Sequence, residues 1–479
     1  MSKYDYNIIV IGGGSAGLVS SYIAAALKAK VALIEKHKMG GDCLNTGCVP
    51  SKALLRSAKM LSYARRAEEF GFNKTTVDFD FAKVMERVQS VILAIAPHDS
   101  VERYTQLGVE CIEGTAKIVA PHRVEVNGKT LTARSIIVAT GARPMVPPIP
   151  GLDKTDYLTS DTVWNIRQRP QKLVVLGGGP IGAEMAQAFA RLGSEVTIIE
   201  MAPHLLVRED AEVIELVTER FRAEGIQVLT DHKAKSFKIE SGQKILTCEH
   251  NSKDVGIPFD QIIVALGRQA NVSGFGLEEL GVKLSPRKTI EADAFLETNV
   301  SGIYVCGDVT GPFQFTHTAA HQAWYASVNA LLAPFKRFKV DYRVIPWTTF
   351  TDPEVARVGL NEKEAKEKGI PYEVTTYGID DLDRAIADSE AHGFVKVLTV
   401  PGKDRILGVT IVGTHAGDII PEFILAMKHG LGLNKILGTI HIYPTLGEAN
   451  KYAAGVWRKA HVPKFGLKLM KIFHAWRRM

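Results

Sequence analysis

The sequence of 479 residues is poor in cysteine, with five in all, and it has no apolar run near the roughly 20 residues that a membrane-spanning helix needs. So few cysteines argue against a disulfide-stapled secreted scaffold and fit a reducing compartment. The apolar run Ile8–Ile11 is too short for a signal peptide. These absences predict a cytoplasmic globular protein, and the chain length predicts about three or four domains.

Strong charge of one sign is also absent from most of the chain. The formal net charge is +6, and seven lysines and arginines lie between Arg458 and Met479 without an acidic residue, so the remainder is close to neutral and predicts no nucleic-acid partner. Two interpretations of the basic tail stay open: a helix at the inner face of a membrane, or a helix packed on the protein's own body. Both rest on five large apolar residues at helical spacing: Phe465, Leu469, Ile472, Phe473 and Trp476.

What the sequence does contain is a closely spaced pair of cysteines, Cys43 and Cys48. Thiolate sulfur is both a nucleophile and an electron carrier, so such a pair can accept two electrons as a disulfide and pass them on as a dithiol. Lys52 lies four residues after Cys48, which places it on the same helix face. The other three cysteines are predicted to be small buried residues: Cys111, Cys248 and Cys306.

A nucleotide-binding pattern precedes the cysteine pair. The predicted strand Tyr6–Ile11 is followed by a helix and by a second strand that ends at Glu35, and three glycines separate the first strand from the helix: Gly12, Gly14 and Gly17. Glycines let the backbone approach a pyrophosphate at a helix N-terminus, and the acidic residue can hold a ribose hydroxyl. The pattern predicts a dinucleotide site.

The same pattern recurs in the middle of the chain. The predicted strand Leu173–Leu176 leads into a second helix and a strand that ends at Glu200, with the glycines Gly177, Gly179 and Gly182 between. Two dinucleotide sites predict two cofactors and hydride transfer between them.

The charge of Glu200 bears on which nicotinamide nucleotide binds. A carboxylate repels the 2'-phosphate of NADP and accepts a hydrogen bond from the 2'-hydroxyl of NAD, so the sequence favours NADH. Arg208 lies downstream and keeps NADPH open as the alternative.

The segment Gly40–Lys52 and the two glycine units together resemble the class I pyridine nucleotide-disulfide oxidoreductases, the family of dihydrolipoyl dehydrogenase, glutathione reductase and mercuric reductase. The resemblance runs from about Tyr4 to about Ala460. It implies an α/β fold with two doubly wound Rossmann-type nucleotide-binding domains, a C-terminal α+β dimerisation domain and a homodimer. The implied limits are an FAD-binding domain at 1–150, an NAD(P)-binding domain at 151–275, a return to the central domain at 276–338, the dimerisation domain at 339–460 and the tail at 461–479.

The resemblance also implies the cofactors and the residues that contact them. FAD would occupy the first glycine unit and NAD(P)H the second, and Asp308 would bind the ribityl chain. A helix that begins near Thr316 would aim its positive end at the flavin. Three further residues belong to the cofactor-binding prediction: Thr140, Gly141 and Gly267.

The implied path of the electrons ends at the cysteines. Lys52 and Glu184 would form an ion pair beside flavin N5, and Cys48 would become the charge-transfer thiolate next to the flavin. Cys43 would then attack the substrate. The function implied is reduction of a disulfide or a metal-like acceptor by NAD(P)H through FAD.

The sequence departs from the family near its C-terminus. Tyr443 stands where disulfide reductases carry the histidine that acts as acid and base, although the accompanying Glu448 is in place. A phenol with a pKa near 10 is a poor base at neutral pH, so dihydrolipoamide oxidation is predicted to be slow. His441, two residues earlier, keeps open a dihydrolipoyl dehydrogenase that uses it instead.

Other departures separate the chain from complete mercuric reductases. No cysteine follows Cys306, and no N-terminal metal-binding domain is expected, so the chain resembles a mercuric-reductase-like core without the cysteines that deliver metal. No resident metal site is predicted. Asp42 replaces the usual threonine. A redox switch or membrane-associated partner protein with little turnover stays open as a hypothesis of another class.

Overall fold

A computed structural model describes residues 3–479. These residues form two compact units. The first unit comprises the chain up to Leu61, Val77–Met201 and Leu229–Asp341. The second comprises three segments: Ser62–Thr76, Ala202–Val228 and Tyr342–Met479. Both glycine patterns fall mainly in the first unit. The predicted domain boundaries at residues 151 and 276 therefore stay predictions. The predicted start of the dimerisation domain at residue 339 lies close to Tyr342, where the last segment of the second unit begins.

The strands are mostly rich in valine and isoleucine, as buried β-structure requires. They are β1 Tyr6–Ile11, β2 Val31–Glu35, β3 Val109–Glu113, β4 Lys117–Ala120, β5 Arg123–Val126, β6 Lys129–Val138, β7 Ala142–Pro144, β8 Lys172–Leu176, β9 Glu195–Ile199, β10 Gln227–Leu229, β11 Lys233–Glu240, β12 Gln243–His250, β13 Lys253–Phe259, β14 Gln261–Val264, β15 Arg268–Ala270, β16 Ile303–Val305, β17 Pro346–Thr349, β18 Glu354–Gly359, β19 Glu373–Gly378, β20 Phe394–Thr399 and β21 Ile406–Gly413.

The helices alternate with these strands along much of the chain, which is the order typical of α/β proteins. They are α1 Ser15–Ala26, α2 Gly41–Asn45, α3 Cys48–Arg65, α4 Phe81–Ile95, α5 Val101–Gln106, α6 Pro180–Arg191, α7 Ala211–Ala223, α8 Thr316–Leu332, α9 Glu362–Glu367, α10 Asp383–Ala387, α11 Ala416–Ile419, α12 Pro421–Lys428, α13 Leu433–Leu437, α14 Glu448–Ala460 and α15 Lys464–Trp476. Short 3-10 helices cover Ala67–Phe70, Ala96–Asp99, Leu152–Lys154, Val163–Asn165 and Ile379–Asp381.

The largest sheet of the first unit has seven strands in the order β3-β2-β1-β6-β5-β4, with β16 also paired to β6. Strands β3, β2, β1, β6 and β16 run parallel, while β4 and β5 are antiparallel additions. Alternate residues of β1 enter two cores: Ile8 packs with α1 and α8, and Ile9 packs on the opposite face. The carboxyl ends of the parallel strands therefore meet at one edge, where such folds bind ligands.

A second sheet carries the second glycine pattern. Its order is β10-β9-β8-β14, with β9, β8 and β14 parallel. The first unit also contains the antiparallel sheet β11-β12-β13 and the pair β7-β15. The prediction of two doubly wound nucleotide-binding folds is confirmed.

The second unit is built on an antiparallel sheet in the order β17-β18-β21-β20-β19. Its core joins that sheet to helices near the C-terminus, with Phe423 and Trp457 among the buried aromatic side chains. The predicted α+β domain is thus present. Helices α11 and α12 are separate elements with Ile420 between them, because Pro421 has no backbone N–H with which to continue the first helix.

Candidate active site

The two cysteines lie on consecutive helices of the first unit. Cys43 belongs to the short α2, and Cys48 is the first residue of α3. Gly41, with φ +55°, lets this segment approach the first glycine loop, since a Cβ there would lie 2.6 Å from the Cα of Gly14. The two side chains are adjacent, and a hydrogen bond joins their sulfur atoms. Cys48 is exposed, and Cys43 is half-buried.

The surroundings of Cys48 favour its thiolate. A hydrogen bond with Cys43 is the largest cause that lowers the pKa of Cys48 to about 6, and the Thr316 hydroxyl, 3.3 Å from its sulfur, and the charge of Lys52 act in the same direction. The N-terminus of α3 adds the positive end of a helix dipole. The same hydrogen bond, together with burial, raises the pKa of Cys43. One proton is therefore held at Cys43 while Cys48 is ionised.

Lys52 and Glu184 form an ion pair close to the thiols. Lys52 Nζ lies 3.0 Å from Glu184 Oε2, and the carboxylate is buried while the lysine is partly exposed. The two charges act on Cys48 in opposite directions, because Lys52 lowers the pKa of the thiol and Glu184 raises it. The structure thus brings together the two charges whose pairing the family resemblance implied.

The first glycine loop leaves a bare helix end. Gly12 has φ +107°, and a Cβ there would lie 2.4 Å from the carbonyl oxygen of Ala139; at Gly17 it would lie 1.7 Å from that of Gly12. Gly14, at the N-cap of α1, has no side chain to bond the first N–H groups of the helix. Glu35 accepts a hydrogen bond from the N–H of Gly13. A phosphate can reach this helix end, as a dinucleotide requires.

The second loop repeats this geometry. Gly177 has φ +114°, and a Cβ at Gly182 would lie 1.9 Å from the carbonyl oxygen of Gly177. A Cβ at Gly179, the N-cap of α6, would meet no atom within 4 Å. Glu200 accepts a hydrogen bond of 2.7 Å from the N–H of Gly178. Both loops thus combine tight packing at the outer glycines with a helix end that carries no capping side chain.

Thr140, Gly141 and Gly267 lie at connections between strands of the first unit. The hydroxyl of Thr140 donates to the carbonyl oxygen of Asn271. In return, the side-chain amide of Asn271 donates to the carbonyl oxygen of Thr140. Gly141 and Gly267 have φ of +66° and +115°. These residues order the backbone where β7 and β15 pair, and their predicted contact with a cofactor stays a prediction.

Asp308 follows β16 at the same sheet edge as Gly12. Burial raises the pKa of its carboxyl, and the charge of Arg268, whose Nε lies 3.5 Å away, opposes that shift. Arg268 also pairs with Asp42, the residue that replaces the usual threonine. The sequence alone did not reveal this cluster, because Asp42 and Arg268 are 226 residues apart.

The second unit holds the residues expected to supply acid-base chemistry. Tyr443 is 65% exposed, and its hydroxyl donates to Asp383 over 3.0 Å. That hydrogen bond is the largest cause that raises the pKa of the phenol, so at neutral pH Tyr443 is ionised, and available as a base, even less often than a free tyrosine. Glu448 is buried at the start of α14 and accepts a hydrogen bond from the N–H of Thr445.

His441 is held by its neighbours within the second unit. Its Nε2 lies 3.0 Å from Glu422, and its Nδ1 lies 3.0 Å from the carbonyl oxygen of Thr439. Asn450 donates to the same Glu422 carboxylate. Because both ring nitrogens already face acceptors, the imidazole is not available as a base without breaking one of these contacts.

The remaining cysteines are not part of the thiol pair. Cys248 and Cys306 are buried, as predicted, whereas Cys111 is only half-buried. Burial raises the pKa of Cys248 to about 11 and that of Cys306 to about 12. These thiols are therefore protonated at neutral pH and unsuited to nucleophilic attack.

Two clusters of possible metal ligands occur in the second unit among residues 3–479. Asp210, Glu212 and Glu362 surround the buried ammonium of Lys396. The other cluster is formed by Asp352, Glu390 and His392, and Arg66 lies 3.1 Å from Glu390. Lys396 forms ion pairs with the first cluster, and Arg66 forms an ion pair with Glu390 of the second. Because each cluster already has a cationic side chain as its partner, neither resembles a metal centre.

Two dinucleotide-type loops, a paired lysine and glutamate, and an acidified dithiol define a class of protein: a dithiol oxidoreductase that uses two nucleotide cofactors. A sequence model described as pyridine nucleotide-disulphide oxidoreductase matches residues 6–323, and one described as the dimerisation domain of the same family matches residues 345–454. The chain belongs to this family. The protein is therefore an FAD-dependent, NAD(P)H-dependent disulfide oxidoreductase and a homodimer.

Individual relatives cover nearly the whole chain. A mercuric reductase from Bacillus cereus is 36% identical over 94% of this chain and 71% of its own length. A dihydrolipoyl dehydrogenase from Chlamydia pneumoniae is 36% identical over 93% of this chain and 95% of its own length.

Solved structures agree with this assignment. The Cu(II) complex of the HOCl-induced flavoprotein disulfide reductase RclA from Escherichia coli has a TM-score of 0.83 at 27% identity, over 93% of this chain and 98% of that one. LpdA from Mycobacterium tuberculosis has a TM-score of 0.85 at 26% identity, over 94% of this chain and 99% of that one.

Over residues 3–479, no helix is long and apolar enough to cross a bilayer.

Proposed function

We propose that this protein uses NADH to reduce a soft metal ion or a disulfide through Cys43 and Cys48. The observation that carries the proposal is the pairing of the two thiols, with Cys48 at a helix N-terminus 3.3 Å from Thr316 Oγ1 and its pKa lowered to about 6. A thiol with such a pKa is mostly ionised at pH 7, whereas an ordinary cysteine, with a pKa near 8.5, is not.

FAD, when bound, would supply the two-electron chemistry that links a nicotinamide nucleotide to a disulfide. Two-electron reduction of the Cys43–Cys48 disulfide breaks its S–S bond and, with uptake of one proton, leaves a thiolate at Cys48 and a thiol at Cys43. Because the shared proton rests on Cys43, Cys43 must lose it, to Cys48 or to solvent, as its sulfur attacks the acceptor. The ion pair of Lys52 and Glu184 adds no net charge of its own beside the thiols.

The glycine loops and their neighbours are assigned to the cofactors. Gly12, Gly14 and Gly17 would hold the pyrophosphate of FAD, with Glu35 near its ribose and Asp308 near the ribityl chain. The equivalent roles in the nicotinamide site are assigned to four residues: Gly177, Gly179, Gly182 and Glu200.

The preference for NADH rests on Glu200. Its carboxylate lies beside the second glycine loop, held by the N–H of Gly178, and a 2'-phosphate there would be repelled. Glu200→Ala should weaken the use of NADH relative to NADPH, measured as the ratio of the two kcat/KM values. An unchanged ratio would contradict the assignment.

The acid-base residues favour a metal acceptor over a dithiol or disulfide. Reduction of a disulfide releases a thiolate that needs a proton, and Tyr443, with its raised pKa, is a poor donor to it. A metal ion that accepts electrons from thiolates needs no such proton. The names of the mercuric reductases and the Cu(II) complex of RclA support Hg(II) and Cu(II) as ions to test.

The dimer is proposed to complete each site. In this arrangement Tyr443 and Glu448 of one subunit serve the cysteines of its partner, and the dimerisation domain at 345–454 supports it. A monomer should then be inactive, which light scattering of fractions assayed for activity will test. An active monomer contradicts the shared site.

A cytoplasmic location is also part of the proposed function.

The second candidate, a dihydrolipoyl dehydrogenase that uses His441, is less well supported. Both ring nitrogens of His441 face acceptors within the second unit. Freeing the ring would leave the carboxylate of Glu422 with fewer partners.

An anaerobic titration with NADH, followed by steady-state assays with several acceptors, tests the function. The acceptors are Hg(II), Cu(II), glutathione disulfide and lipoamide, with dihydrolipoamide and NAD for the reverse direction. Turnover with a metal ion supports the proposal, and fast oxidation of dihydrolipoamide contradicts the argument from Tyr443. No turnover with any acceptor would favour a redox switch.

A further inference from the structure

The C-terminal helix α15 exposes its apolar side chains to solvent. Phe465, Ile472 and Trp476 are 73%, 66% and 68% exposed, and no residue of the helix is buried. The interpretation in which this helix packs on the protein's own body is therefore wrong for the described subunit. Exposed apolar groups of this size on one helix are unusual for a surface that faces only water.

The apolar and the basic residues of α15 occupy different sides of the helix. At 100° per residue, Phe465, Ile472 and Trp476 fall within one narrow arc of the helix, together with Leu469. Three lysines lie along one side of that arc, centred about 100° from its middle: Lys464, Lys468 and Lys471. No acidic residue lies between Arg458 and Met479, so the partner of this helix must accept cations and apolar groups side by side.

The helix also needs a partner in order to be stable. It has 13 residues, and helices of that length are marginal in water when nothing packs against them. Lys464 and Lys468 are four residues apart, and like charges at this spacing repel each other. An anionic surface would remove this repulsion.

We propose that α15 binds the surface of an anionic phospholipid bilayer, with its aromatic and aliphatic arc among the upper acyl chains and its lysines among the phosphates. The helix is about 20 Å long and so cannot span a bilayer core of about 30 Å. The family's dimerisation domain ends at residue 454, before α15 begins, so a second copy of the chain is the less favoured occupant.

Co-sedimentation with vesicles tests the proposal on the full-length holoenzyme. Vesicles that contain phosphatidylglycerol should bind the full chain, and vesicles of phosphatidylcholine alone should bind it at least about tenfold more weakly. A chain that ends at Val462 should lose binding to both while it keeps its NADH-dependent turnover, because the truncation removes no residue assigned to the catalytic or binding sites.

Two pairs of substitutions separate the charged and apolar contributions. Lys468→Gln with Lys471→Gln should weaken binding to anionic vesicles about tenfold or more, since each basic residue near the surface adds to the attraction. The matched control, Lys129→Gln with Lys253→Gln, changes two exposed lysines elsewhere and should bind as the parent does.

The apolar pair is Phe465→Ser with Ile472→Ser, which should also release the protein from anionic vesicles. Its control is Phe72→Ser with Phe335→Ser, two phenylalanines that are 70% and 94% exposed outside the tail. Equal vesicle binding by the full and truncated chains would overturn the proposal. So would a truncation that changes only the oligomeric state in light scattering, because α15 would then be a contact between subunits.

Discussion

The thiol pair of the first unit and the acid-base residues of the second unit differ in how far each is prepared for catalysis. Cys48 has a helix N-terminus, the Thr316 hydroxyl and a lysine that favour its ionised form. Tyr443 has a neighbouring carboxylate that raises the pKa of its phenol, and His441 has both nitrogens engaged. The first unit lowers the pKa of the Cys48 thiol toward neutrality, whereas the second unit raises the pKa of the Tyr443 phenol further above it.

This contrast teaches which half of the reaction the chain supports by itself. A thiolate at Cys48 and a protonated Cys43 are the products of two-electron reduction, so the first unit is suited to receive electrons. Proton transfer to or from an incoming dithiol or disulfide needs a group with a pKa near neutrality. The second unit offers none at Tyr443, and the acceptor should therefore be one that needs no proton.

The largest effect is expected from Cys48→Ser. The serine hydroxyl cannot form the disulfide, so turnover with every acceptor should fall to background, and the long-wavelength absorbance of a thiolate beside oxidised flavin should disappear. A steady-state assay and a spectrum taken under anaerobic conditions measure both. Cys111→Ser is the matched control and should retain activity; retained turnover in Cys48→Ser would remove the thiol pair from the mechanism.

The next largest effect should come from Tyr443→His. This substitution would give the second unit an acid-base group with a pKa near neutrality, which it lacks at this position. An imidazole at this position, with Glu448 already present, should raise dihydrolipoamide oxidation about a hundredfold or more, the usual contribution of general acid-base catalysis. Tyr443→Phe, which also breaks the hydrogen bond to Asp383, should give no such gain. If the phenylalanine variant gains as much, the base is a different group.

Lys52 and Glu184 should shift the thiol in opposite directions. Lys52→Met should raise the pKa of Cys48 by about one unit, and Glu184→Gln should lower it by a similar amount, because a nearby cation favours the thiolate and a nearby anion opposes it. Absorbance of the reduced enzyme, followed across pH, measures both shifts. Shifts of the same sign would mean that the pair acts through structure and not through charge.

The smallest effect is expected from Thr316→Val. Loss of the hydroxyl removes a hydrogen bond to the Cys48 sulfur, which should raise the pKa of the thiol by less than about one unit. Thr318→Val, a buried threonine in the same helix, is the control and should leave the pKa unchanged. An equal shift in both variants would point to movement of α8 instead.

Local sequence patterns predicted much of the fold. Strand β1 over Tyr6–Ile11 and the two glycine loops follow from short-range patterns, since burial and φ constraints act on neighbouring residues. The ion pair of Lys52 and Glu184 came from family resemblance. Thr316 was missed as a partner of Cys48 because 268 residues separate them, and a linear pattern contains no information on such contacts.

The most direct test is a pH titration of the enzyme after reduction by one equivalent of NADH per subunit under anaerobic conditions, read as long-wavelength absorbance. The thiolate of Cys48 should be present at neutral pH and should be lost as the pH falls through about 6. A midpoint near the 8.5 of an ordinary cysteine, or no absorbance at neutral pH, would contradict an acidified Cys48 and with it the asymmetry between the two regions.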